Sequence, residues 1–87
     1  MNAKELFGWN LRKERVAQGL TQEDLSSEVE VDRAYLGRIE RGKENITINV
    51  IEKIGLALKI PLDELFRKPP DGEPMPLPLK AGRRPGK

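Results

Sequence analysis

Eighty-seven residues with sixteen basic and fourteen acidic side chains, no cysteine and no histidine, allow one small domain. Disulfides and thiolate metal sites are excluded, and the commonest general base and metal ligand are absent. No segment approaches the length of a membrane span, and the amino terminus lacks an apolar secretory core, so a cytoplasmic, cofactor-free protein is expected.

Residues 3–18 read as a first helix, with Phe7, Leu11, Arg15 and Gln18 on one stripe and Leu6, Trp9, Lys13 and Val16 on a second. Gly19 ends it, where a positive φ is tolerated. Residues 22–29 and 33–41 read as two short helices joined by a tight turn. Thr21 can N-cap the first, with Asp24 as its acidic capping-box partner. Asp32 can N-cap the second, which stops at Gly42, a residue suited to a left-handed terminus. Leu25, Val29, Leu36 and Ile39 fall where the apolar faces of such a pair meet, leaving Arg33, Ala34, Gly37, Arg38 and Arg41 outward. A loop leads to Thr47, which can cap a fourth helix over 48–58 with Ile48, Ile51, Ile54, Gly55 and Leu58 on one face. Pro61 opens a last short helix carrying Leu62, Leu65 and Phe66. The expected fold is therefore all-α, a compact domain of five helices with no alternating strand pattern.

From Pro69 onward, six prolines and three glycines leave little to propagate a helix or fill a core. Residues 1–68 are read as the folded domain and 69–87 as an extended tail. The domain is electrically balanced, twelve basic against twelve acidic residues, so the whole excess of +2 lies in the tail, through Lys80, Arg83, Arg84 and Lys87. Within the domain the signs segregate. Glu23, Asp24, Glu28 and Glu30 make the second helix acidic, whereas Arg33, Arg38, Arg41 and Lys43 give the third a positive face suited to phosphates. A helix-turn-helix with arginines on its second helix points to duplex DNA. Ser26 and Ser27 lie inside a helix with no histidine to activate them, so nothing argues for an enzyme.

The residues carry a family resemblance as well. Leu11-Arg12, Arg15, Gly19-Leu20-Thr21-Gln22, Leu25, Tyr35-Leu36, Arg38-Ile39-Glu40-Arg41-Gly42, Ile54, Ala57-Leu58 and Leu62-Asp63-Glu64-Leu65 resemble the Cro/repressor-type, or XRE, helix-turn-helix regulators. The Asp32-Arg33 start of the third helix and Ile39-Glu40-Arg41 look most like the small controllers of restriction–modification systems. The resemblance implies a lambda-repressor-like five-helix fold and a bacterial or phage-like transcriptional regulator that binds an inverted-repeat operator as a homodimer. It also implies an Arg15–Glu40 ion pair linking the first and third helices, and a phosphate contact by Gln22. Three departures stand out. Glu30 occupies the turn where the family has Gly, Gly37 replaces a polar residue on the third helix, and Gly55 replaces Ala.

Candidate roles follow from position. Arg33, in the first turn of the third helix, can pair bidentately with guanine; the alternatives are a phosphate clamp or a solvated side chain paired with Glu30. Arg38 stands where the resemblance implies a base- or phosphate-contacting side chain, with a purely solvated role as the alternative. Ala34 can pack on a thymine methyl, or with Gly37 simply permit close approach. Gln22 opens a helix whose amides seat a phosphate, and Thr21 either shares that phosphate or only caps. Tyr35, Arg41, Lys43 and Asn45 complete the expected backbone grip, Tyr35 chiefly by packing with a wet hydroxyl. Val50, Leu56, Ile60 and Leu62 can form an exposed apolar patch, which the resemblance to the controllers implies is the dimer interface, unless the proline-rich tail covers them. No small-molecule ligand is suggested. A rival reading, an antitoxin or adaptor-type protein-interaction module on the same fold, rests on Trp9 and on tail residues Met75, Leu77 and Leu79. The basic tail itself can be a DNA-contacting arm or a solubilising end.

Overall fold

The computed structural model describes residues 1–74. These form α1 (Ala3–Ala17), α2 (Gln22–Val29), α3 (Arg33–Glu40) and α4 (Ile48–Leu58), closed by a 3-10 helix over Leu62–Phe66. Caps set the boundaries. Thr21 accepts the Asp24 N–H at 3.0 Å while Asp24 accepts the Thr21 N–H at 2.8 Å. Asp32 takes the amides of Ala34 and Tyr35, and Thr47 that of Val50. Asn2 and Glu5 form a further capping box at the start of α1.

The helix ends share one backbone device. Leu20, Val31, Lys43 and Ile60 each return an N–H to the carbonyl five residues back, around Gly19, Glu30, Gly42 and Lys59, all at positive φ. Glycine occupies two of these left-handed positions and a side chain strains the other two. Gly42 has a second reason to be bare, because a Cβ there would come within 3.0 Å of the Glu5 backbone. That close approach ties the loop after α3 to the start of α1.

Phe7, Leu11, Leu25, Val29, Leu36, Ile39, Ile54, Leu58 and Leu65 fill the core. Each fully buried aliphatic side chain contributes about 1.5–3 kcal/mol of transfer free energy. Helix α1 packs on α3 and the closing 3-10 helix, and α2 packs on α3 and α4.

Several expectations change. The fifth helix is a single 3-10 segment, because Asn10 Nδ2 captures the carbonyls of Leu65 (3.1 Å) and Arg67 (2.8 Å), and Pro69-Pro70 prevent any extension. Gln18 leaves its stripe for the surface and donates to Leu58 O, capping the carboxyl end of α4. Ile48, assigned to the buried face of α4, is 80% exposed at the edge of that stripe. Residues 69–74, read as tail, lie against α1. Lys13 pairs with Glu73 at 3.0 Å, and the Lys13 ammonium also stands over the Trp9 ring. This apron leaves Trp9 only 5% exposed, and it runs over Leu6 and Trp9 rather than over the α4 face. Residues 75–87, with Met75, Leu77, Leu79 and the basic cluster from Lys80 to Lys87, lie outside the described residues.

Candidate nucleic-acid interface

Helices α2 and α3 meet through the small turn at Glu30-Val31, with Leu25 and Val29 packed on Leu36 and Ile39. Behind this pair sits a polar knot. Arg15 donates from Nε to Glu40 Oε2 at 2.6 Å, from Nη2 to Oε1 at 3.0 Å, and from Nη1 to the Leu20 carbonyl at 2.7 Å. Gln22 Nε2 adds a 3.0 Å bond to Glu40 Oε1. One carboxylate on α3 thus holds α1 and the first residue of α2 together, which fixes how α3 is presented.

Arg33, Ala34 and Arg38 are exposed on the outer side of α3, and Arg41, Lys43 and Asn45 follow them to the surface. Gly37 departs from its expected outward position. It is buried, because the side chains of Gln22 and Arg41 close over it. Thr21 is likewise buried, and its hydroxyl accepts from the Asp24 amide as the cap of α2. Tyr35 is half-buried against the core, with the Arg38 guanidinium 5.9 Å from its ring centre. Arg38 also donates from Nε to Glu44 Oε2 at 2.5 Å. Sequence reasoning missed Glu44. Its only signal was a carboxylate six residues after Arg38, across a glycine turn that brings it back.

The pairing of Arg33 with Glu30 does not form. Arg33 instead borders a shallow groove with Glu23, Asp24, Ser26 and Ser27. Of the proposed interface on α4, Leu56 is 73% exposed, Leu62 is partly exposed, and Val50 and Ile60 are half-buried against the core. The adaptor reading loses Trp9, which is covered. Among the described residues no group of three or more metal-ligating side chains occurs, and no helix is long and apolar enough to cross a membrane.

This arrangement has close counterparts. A helix-turn-helix family model matches residues 11–65. The chain is 43% identical over 56 residues to control protein C.MunI of a Mycoplasma species, covering 64% of this chain and 73% of that protein. The crystal structure of the restriction–modification controller C.AhdI from Aeromonas hydrophila superposes with a TM-score of 0.70 at 43% identity, covering 72% of this chain and 96% of that one. The controller C.Esp1396I bound to a 25 base pair operator site superposes with a TM-score of 0.67 at 32% identity, over 76% and 87% of the two chains.

Proposed function

Because the chain belongs to the XRE-type helix-turn-helix family, whose members here include restriction–modification control proteins, we propose that it regulates transcription by binding an inverted-repeat operator as a homodimer. The observation that carries this reading is the exposure of Arg33, Ala34 and Arg38 on one side of a helix whose orientation is set by the Arg15–Glu40–Gln22 knot. The operator complex of C.Esp1396I supports duplex DNA as the partner.

In this reading the amino end of α3 enters the major groove. Arg33 reads a base, Ala34 allows close approach, and Arg38 exchanges Glu44 for DNA. The start of α2, through its amides and Gln22, seats one phosphate, and Lys43 and Asn45 grip the next. A single such module covers about 600–1,000 Å² of protein surface, little for tight specific binding. Two modules joined through the apolar α4 face would read half-sites roughly 34 Å apart.

Titration of Arg33→Ala and Gln22→Ala against a panel of operator sequences tests the division of labour. Arg33→Ala is expected to relax preference at one base position by about 1–3 kcal/mol, and Gln22→Ala to weaken all sequences alike. Uniform loss in both variants would refute the assignment. A wild-type chain that ignores duplex DNA at low ionic strength would refute the function itself.

A further inference from the structure

We infer that Arg41 reads a base edge, and that the missing side chain at position 37 is what delivers it there. The inference rests on the DNA-binding reading above and adds a specificity-determining residue to it.

Arg41 closes the carboxyl end of α3, next to the loop of Lys43 and Asn45 that would grip the backbone. Helical side chains lean toward the amino end, so residue 41 covers the ground of residue 37. Here that ground is bare. A Cβ at Gly37 would lie 3.4 Å from Arg41 Nη1 and 3.7 and 3.8 Å from the two polar atoms of the Gln22 amide. Those two side chains explain why a glycine on the outer side of the helix is buried. A methyl group fits in that space, but a longer side chain displaces the guanidinium. With Gly37 as its seat, Arg41 carries its charge about one helical turn, roughly 5.4 Å, toward the end of α3 that enters the groove.

The second observation concerns which arginines are free. Arg38 is engaged by Glu44 and lies near the Tyr35 ring. The guanidinium groups of Arg33 and Arg41 make no hydrogen bond or ion pair among the described residues. They are therefore the two planar forks on this face with their donors open for the O6 and N7 acceptors of guanine. Gln22, hydrogen-bonded to Glu40, lies against Gly37 on its other side.

The test measures binding of wild type, Arg41→Ala, Arg41→Lys, Gly37→Ala and Gly37→Leu to a preferred operator and to every single base-pair variant of one half-site. Arg41→Ala is expected to lose about 5- to 150-fold on the preferred site and to become indifferent at one base pair, distinct from that relaxed by Arg33→Ala. Arg41→Lys, which keeps the charge but loses the fork, follows it. Gly37→Leu relaxes the same position with Arg41 still present, and Gly37→Ala does not. Equal weakening on all sequences by Arg41→Ala, restored by Arg41→Lys, makes Arg41 a phosphate clamp and overturns the inference while DNA binding stands. A wild-type chain without sequence preference overturns the DNA-binding reading and this inference together. Circular dichroism melts of each variant separate loss of contact from loss of fold.

Discussion

Arg15 and Glu40 meet through two hydrogen bonds at 2.6 and 3.0 Å, with both side chains only 2% exposed. At that burial each charge depends on the other. Arg15→Ala leaves the carboxylate with only Gln22, and Glu40→Ala leaves the guanidinium with only the Leu20 carbonyl. Either single change is expected to destabilise the domain by about 3–5 kcal/mol, much of the 5–15 kcal/mol that small domains possess. The double variant Arg15→Met/Glu40→Leu is expected to recover most of that loss, since a well-packed apolar pair avoids the desolvation penalty. Its DNA affinity should stay low, because Gln22 loses its anchor. Urea unfolding followed by Trp9 fluorescence checks the first expectation, and operator titration checks the second.

Two interior glycines make opposite demands. A Cβ on Gly8 would lie 2.4 Å from the Ile39 carbonyl oxygen and 2.8 Å from that of Glu40. Both are backbone atoms at the α1–α3 contact, so Gly8→Ala must separate the helices. A destabilisation of about 1–3 kcal/mol is expected despite the better helix propensity of alanine. At Gly55 the first obstacle is Leu62 Cδ2, 2.5 Å away at the free end of a partly exposed side chain. There the leucine can rotate, and the propensity gain offsets the disturbance. Gly55→Ala should change the urea midpoint by less than about 1 kcal/mol equivalent.

That contrast also marks how far the sequence could be read. Caps act over three residues, so Thr21 with Asp24, Asp32 and Thr47 declared the starts of α2, α3 and α4, and the helix bounds followed within a residue. Apolar spacing placed nearly all the core. What escaped depends on partners far along the chain. Gly8 is needed because the backbone at Ile39 comes close, and Asn10 ends the last helical segment by bonding carbonyls 55 and 57 positions away. Trp9 is covered by residues 69–73, a contact between segments about sixty positions apart that no local pattern announces. In the candidate interface, the exposure of Arg33, Ala34 and Arg38 was legible from helical phase. The capture of Arg38 by Glu44 and the covering of Gly37 required side-chain reach that no local pattern encodes.

Glu30 and Lys59 sit at φ 61° and 59°, in the same hydrogen-bonded terminus that Gly19 and Gly42 occupy without a side chain. For an L-residue that conformation costs about 1–2 kcal/mol. Glu30→Gly and Lys59→Gly are therefore expected to stabilise the domain by about 0.5–1 kcal/mol each. The gain is less than the full strain because glycine also frees the unfolded chain. For a domain of this size that corresponds to a rise in melting temperature of roughly 2–8 °C per substitution. Unchanged or lower melting temperatures would mean that these side chains make stabilising contacts that outweigh the strain.

Leu56 projects from α4 at 73% exposure, with Ile48 two turns earlier at 80%, and both are far more open than the packed side of the same helix. An exposed side chain contributes little to its own domain's stability, so Leu56→Glu should shift the unfolding midpoint by no more than about 0.5 kcal/mol. If this face joins two copies, the same substitution buries a carboxylate on each side of the two-fold seam and places them near one another. Sedimentation should then report a monomer where the wild type is a dimer. Affinity for a two-half-site operator should fall at least about tenfold, and affinity for an isolated half-site should hardly change. Leu58→Ala is the control, since Leu58 is buried in the core and its truncation should destabilise the domain by about 2–5 kcal/mol. A Leu56→Glu variant that keeps the wild-type mass and operator affinity would place the seam elsewhere. Leu62 and Phe66, the partly exposed apolar residues of the closing 3-10 helix, would then be the next side chains to charge.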